Sequence, residues 1–410
     1  MTELELDRGP SLARAGSLLG PAMAGANALQ YVLQLVASHT LDPEGFGAFG
    51  SVLGLALVGA VPMLALQTVT ARHIALRRGD ATDRGREVAR LLRTAVAFAA
   101  GLTCLGLALS PLLAAFLHVS VLGVAWMVLS LGPLALAGTA QGVLQGRERF
   151  VALAVLFVAV SALRVVGGVV GLLLAPGVTY GLAGVTAGAV LSCLLGLALV
   201  RRERAPGTGE APAGFVRELA VAMSGVLALL TLAGEDLLLA RHVLPGDDSG
   251  RYAAGSLVVR ACFWLPQFVA VLVVPRLAAG DTLLARRSAM LVGGLGLLEV
   301  LVTTALPGSV LGLLLGDHYA SLAGRLGLFA VEGACLAVLQ LLLYSGIARG
   351  VSSVGRVLWA TAAVEALVVL LLRPGLTGIV VIAAGCAAVA TMVSLRATAT
   401  SRLHGTAALT

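Results

Sequence analysis

NALQYVLQLVASHTLDPEGFGAFGSVLGLALVGAVPMLALQTVTAR, residues 27–72, holds two apolar runs joined by a short polar turn and closed by an arginine. The runs extend over 13–37 and 47–71, and about 20 apolar residues are enough to cross a hydrocarbon core as helix. Inside lipid a backbone N–H or C=O finds no water, so a spanning segment closes its hydrogen bonds within itself or around a barrel. The polar–apolar alternation of a barrel strand is absent. The stretch therefore reads as two membrane helices and a tight turn.

The same pattern repeats along the chain. Spans are expected at 13–37, 47–71, 94–116, 120–145, 151–175, 179–200, 218–240, 253–275, 288–306, 322–346, 355–372 and 375–395. Of the 410 residues 59% are hydrophobic and 12% charged, too little charge to coat a soluble domain of this size. The fold class expected is an all-α polytopic membrane protein of about twelve transmembrane helices in two parallel-repeat six-helix bundles. The five cysteines are isolated within apolar runs and read as packing residues. The acidic N-terminus lacks the basic start of a signal peptide.

The formal charge of +7 invites a nucleic-acid reading until its position is considered. All 28 basic residues are arginine, a bias of GC-rich bacterial genomes. Arg8, Arg14, the run between Arg72 and Arg93, Arg147, Arg149, Arg201–Arg217, Arg276, Arg286, Arg287, Arg349, Arg356, Arg396 and Arg402 all fall on one side. Only Arg241, Arg251 and Arg373 fall on the other. This is the positive-inside pattern, and it places both termini in the cytoplasm of a bacterial inner membrane. No nucleic-acid partner is expected, and the chain is expected to act as a monomer.

The charged, then Pro- and Gly-rich segment 201–214 divides the chain into six spans and six. The expected domains are 1–205, a cytoplasmic linker at 206–214, and 215–410. At an offset of 204, Pro62 and Arg72 match Pro266 and Arg276, and Gly142 and Gly146 match Gly346 and Gly350. Even-span halves keep one orientation, as parallel repeats of transporters do.

Gly45-Phe-Gly47-Ala-Phe-Gly50 fits a dinucleotide motif, but no strand precedes it, so its glycines read as turn and packing residues. No P-loop, HExxH or GxSxG occurs, and no cofactor, metal or catalytic residue is expected. Charges inside spans are informative because each costs about 2.5–3.5 kcal/mol at a helix centre. Arg164 lies in span five, Arg260 in span eight, Glu235 and Asp236 in span seven, Glu299 in span nine and Glu365 in span eleven. Arg325 begins span ten, with Glu332 two turns deeper. Two readings stand: cations lining a wet cavity that draws an anionic substrate, or structural ion pairs such as Arg325–Glu332 and Arg260–Asp236. Asn27, Gln30 and Gln34 share a face of span one, and Gln67, Thr68 and Thr70 close span two. They either line the same cavity or bond between helices.

Residues 27–72, QGVLQGRERF at 141–150 and DLLLARHVLPGDDSGRYAAGS at 236–256, with Pro275-Arg276, resemble polysaccharide and oligosaccharide-lipid flippases. These belong to the multidrug/oligosaccharidyl-lipid/polysaccharide exporter superfamily. The resemblance covers the whole chain. It implies two bundles that expose a central cavity to each side in turn, and a lipid-linked glycan whose diphosphate meets cavity cations, Arg260 among them. Spans one and two carry no arginine in their interiors, which argues against lipid II as cargo. A cation-coupled drug antiporter of the same fold would use Glu299, Glu332 and Glu365. A membrane-embedded glycosyltransferase or polymerase would need catalytic acids on a large outer loop, and the outer loops here are short.

Overall fold

The computed structural model describes residues 9–76, 81–175, 177–201, 215–264, 282–348 and 353–407. The N-terminal eight residues, the linker 206–214, and Pro266, Arg276, Arg349 and Gly350 lie outside them. Among the described residues the regular structure is helical throughout: α1 (Gly9–Thr40), α2 (Pro43–Gly59), α3 (Val61–Leu76), α4 (Ala81–Leu117), α5 (Val121–Gly146), α6 (Phe150–Leu174) and α7 (Val178–Leu199), then α8 (Phe215–Val243), α9 (Gly246–Trp264), α10 (Thr282–Thr304), α11 (Gly308–Leu315), a 3-10 helix (Asp317–Arg325), α12 (Leu326–Ala348), α13 (Ser353–Leu372) and α14 (Leu376–Ala407). Each expected span finds a helix; span two is broken, and a short bent helix follows span nine.

Nine of these segments are long and apolar enough to cross a membrane, with α2 and α3 counted together; a tenth follows if the bent pair α10–α11 is one span. Their outward faces are apolar: Val151, Leu173, Leu174, Leu313 and Leu371 are each more than two-thirds exposed, as lipid contact demands. The chain is an all-α polytopic membrane protein.

The two interruptions have local causes. Between α2 and α3 the chain turns at Ala60, and Pro62 in the first turn of α3 has no N–H to continue the ladder from α2. Between α10 and α11 the axis bends by 94°. Pro307 starts α11 there with φ −67° and ψ 147°, and Gly316 leaves it at φ 107°, where only glycine is unstrained.

The helices form two compact units, residues 1–40 with 59–223, and residues 41–58 with 224–410. In the first, α5 packs on α3, α4 and α7, and α6 packs on α1 and α7. Leu66, Leu91, Leu134, Val143, Leu153, Leu156 and Ala189 make its core. Glycines bring the backbones together. Gly138, Gly142 and Gly146, one turn apart on α5, face Met63, Gln67 with Thr70, and Ala71 with Ile74 of α3. Gly167 meets Gly184, and Gly188 meets the backbone of Leu163 and Arg164, so α6 and α7 touch main chain to main chain. Ser120 caps α5 by accepting the Gly123 N–H at 3.1 Å.

In the second unit α12 is central, contacting α9, α10 and α14, and α13 packs on α14. The helix α2 belongs here although α1 and α3, its neighbours in sequence, belong to the first unit. Its motif glycines lie inside the helix and serve packing: Gly47 sits against Ser249 and Gly250, and Gly50 against Ala253 of α9. No turn is built from them.

Candidate functional site

Three helices of the second unit bring carboxyl groups together, and a fourth, α9, adds a tyrosine. Asp236 of α8, Glu332 of α12 and Glu365 of α13 are each 1% exposed, and Glu235 of α8 is half-buried beside them. Tyr252 of α9, fully buried, donates its hydroxyl to Asp236 Oδ2 at 3.0 Å. Tyr252 is held by Phe329, edge to face at 5.2 Å, and Phe329 fits because Gly255 has no side chain to block it. Tyr252 feels Asp236, Glu332 and Glu365 electrostatically, and Glu332 feels Asp236, Glu365 and Glu235. Arg260 of α9 is the cation in electrostatic reach of Asp236.

Heptad spacing places Tyr252 and Val259 on one face of α9, and Gly333 of α12 presses on the Val259 carbonyl and Cys262. That close approach brings the preceding residue, Glu332, to the cluster. Glu332 Oε2, Glu365 Oε1 and Glu235 Oε1 are buried and accept no hydrogen bond among the described residues. Ionised together, carboxyls so buried would repel one another, and a proton or small cation taken up among them would relieve that repulsion. Among the described residues no three ligand side chains already converge on a metal position.

The other expected site residues are dispersed. Arg164 lies on the buried stripe of α6 with Leu156, Val160, Gly168 and Leu172, and it makes no hydrogen bond or ion pair among the described residues. No carboxylate occurs in α1, α5, α6 or α7, so nothing in those helices neutralises it. On α1, Gln34 is buried with a bare Oε1, Gln30 is half-buried and Asn27 is exposed. Gln67 is a helix–helix contact, donating to Gln145 Oε1 at 3.1 Å. Glu299 of α10 stands apart from the cluster, beside Cys262. Arg325 is exposed at the end of the 3-10 helix and forms no ion pair with buried Glu332. Arg325 closes the 3-10 helix with its side chain exposed, whereas Glu332, inside α12, is buried.

Three residues escaped sequence reasoning. Tyr252 lies in the quoted stretch 236–256, with nothing local to pair it with Asp236. Gln141, fully buried with both amide atoms unpartnered, gives no signal beyond its place in QGVLQG. Glu44 meets Arg241 at 3.7 Å, a contact between segments far apart in sequence, and Arg241 donates to Ser249 Oγ at 2.8 Å. Arg251 pairs with Asp248, at 3.0 Å.

No family model and no curated protein matches the chain. Solved structures do. An inward-facing multidrug resistance MATE family transporter of the MOP superfamily is 12% identical, with 92% of this chain and 96% of that one covered and a TM-score of 0.73. The lipid II flippase MurJ, in an inward closed conformation, is 10% identical over 93% of this chain and 87% of that one, with a TM-score of 0.75. A eukaryotic MATE transporter is 13% identical over 93% and 95%, with a TM-score of 0.62. At such identities the likeness is one of fold: the chain shares the fold of these transporters.

Proposed function

We propose that the chain is a secondary transporter that moves an anionic lipid-linked oligosaccharide across a bacterial cytoplasmic membrane, coupled to a monovalent cation taken up among Glu235, Asp236, Glu332 and Glu365. The observation that carries this reading is the division of charge. Helices α1, α5, α6 and α7 hold Arg164 and no carboxylate, whereas the second unit gathers four carboxyls near one arginine. Opposite charges kept in separate places suit a cargo and a coupling ion that bind without neutralising each other. The resemblance of residues 27–72, 141–150 and 236–256 to oligosaccharide-lipid flippases supports the glycan cargo. The arginine distribution supports cytoplasmic termini, and alternating access by a monomer fits the fold. Multidrug exporters share that fold, so a drug cargo is the competing outcome.

The test uses the full chain in liposomes with a fluorescent prenyl-diphosphate disaccharide and, separately, a cationic dye. Flipping is followed by quenching with an impermeant reductant under a pH gradient, a sodium gradient or neither. The expected result is disaccharide flipping accelerated by one of the two gradients and slowed at least tenfold by Glu332→Gln or Glu365→Gln. Transport of the dye alone would replace the cargo. Flipping indifferent to both gradients and to both substitutions would remove the coupling.

A further inference from the structure

Arg286 and Arg287 stand in the opening turns of α10, the end that the arginine pattern puts in the cytoplasm. Thr304, the last residue of α10, lies 17 positions beyond Arg287. At 1.5 Å per residue that is about 26 Å, nearly the whole of a hydrocarbon core about 30 Å thick. By itself, then, α10 crosses the core and ends just short of the outer boundary. There the axis turns by 94° into α11, which has eight residues and so runs along the bilayer rather than through it. The two sides of α11 differ. Leu311, Gly312 and Leu315 are buried, and the helix packs on the 3-10 helix that follows. Val310, Leu313 and Leu314, at i, i+3 and i+4, form an exposed apolar stripe, with Leu313 81% exposed. Exposed Leu301 and Val302 on α10, then exposed Ala305 and Pro307 at the bend, lead into that stripe without a polar break. No charged residue occurs between Glu299 and Asp317. Charge returns on the 3-10 helix, where Asp317, His318 and Arg325 are exposed while Tyr319 and Leu322 are buried.

We propose that α11 is an interfacial helix seated in the outer leaflet, with Val310, Leu313 and Leu314 among the acyl chains just beneath the headgroups and the 3-10 helix on its aqueous side. Lipid is the partner because the stripe continues the lipid-facing surface of α10 and carries no polar or charged rim of the kind that surrounds a protein contact. A course that dipped back into the core would carry exposed Asp317 and His318, the residues next after α11 and Gly316, into hydrocarbon, where a charge is costly. Along the surface they reach water at once. Seated in this way, α11 fixes the level of the second unit in the outer leaflet. Tyr319, 1% exposed on the 3-10 helix, meets Phe46 in the first turn of α2 edge to face at 5.6 Å, so the start of α2 is held at the same level.

The test is a depth measurement on the full chain, freed of native cysteines, in liposomes of phosphatidylcholine and phosphatidylglycerol. Leu313→Cys carries a nitrobenzoxadiazole fluorophore, and quenching is compared between lipids with a nitroxide high on the acyl chain, lipids with one near the chain end, and iodide in the water. Leu298→Cys, 11 positions beyond Arg287 and so about 17 Å into the span, is the deep reference. Gly324→Cys, exposed on the 3-10 helix, is the aqueous one. The expected result is that the high nitroxide quenches the Leu313 probe severalfold more than the low one, with the order reversed at Leu298 and iodide acting chiefly at Gly324. Stronger quenching of the Leu313 probe by the low nitroxide would make α11 a re-entrant helix and overturn the proposal. Quenching by iodide and by neither lipid would put the stripe in water, and quenching by none of the three would put protein over it; either result overturns the proposal too. Should Leu313→Cys fail to fold, Leu314→Cys on the same stripe gives the same reading. The outcome is independent of what the chain transports.

Discussion

Arg164 is 14 residues into α6, about 20 Å along the helix at 1.5 Å per residue. At that depth its charge is beyond the headgroups of either leaflet. A guanidinium there with no acid partner is costly unless something anionic visits it, and its fork of donors matches phosphate oxygens. Arg164→Gln is expected to slow disaccharide flipping at least tenfold, with Arg164→Lys retaining more because it keeps the charge and loses the fork. Equal rates in all three proteins, at equal protein level, would take Arg164 out of the cargo path. Arg325→Ala, at an exposed position, is expected to change stability by no more than about 0.5 kcal/mol in a melting assay. At this scale the sequence was legible where a residue type is improbable in lipid: every acid of the cluster stood out in its span. It was silent on which of those acids meet, because convergence of Asp236, Glu332 and Glu365 comes from three helices far apart in the chain. Gln67 and Gln34 illustrate the same limit, since an amide in a span looks identical whether it bonds a neighbouring helix or faces a void.

Among the elements, α3 and α5 are joined by an unforgiving contact. A Cβ on Gly142 would stand 2.5 Å from the Gln67 carbonyl and 2.8 Å from Thr70 Cβ, and one on Gly146 would stand 2.7 Å from the Ala71 carbonyl. Backbone atoms on the receiving side give little. Gly142→Leu should therefore cost about 3 kcal/mol or more, seen as a lower melting temperature in detergent and lower yield. Gly293→Ala, on α10, where no atom lies within 4 Å, should be neutral or slightly stabilising. Glu148, at φ 56° in the turn between α5 and α6, holds a conformation that costs an ordinary residue about 1–2 kcal/mol. Glu148→Gly should recover part of that cost, and a lower melting temperature would contradict the assignment of strain. The helices were readable from length and hydropathy, and the break at Pro62 from a proline set in mid-span. The 94° bend before α11 was not, because the expected span stopped at 306 and left the short helix at 308–315 unassigned.

For the whole molecule, orientation rests on arginine placement alone, and Gly207→Cys in a cysteine-free chain tests it. The thiol should resist an impermeant maleimide in intact cells and react after permeabilisation; labelling in intact cells would reverse the topology. Fold class followed from composition because lipid leaves the backbone so few choices, whereas the partition into units did not, since nothing in residues 41–58 marks them as packing with residues 224–410 rather than with α1 and α3. That placement of α2 bears on how the protein can be taken apart. A gene cut in the linker would yield a C-terminal product missing one of its own walls, with the bare faces of Gly250 and Ala253 turned to lipid. Such a fragment should be degraded when made alone and rescued when residues 1–207 are made in the same cell, as in fragment complementation. The two halves would then be inseparable at the bench, because one half supplies a wall that the other needs.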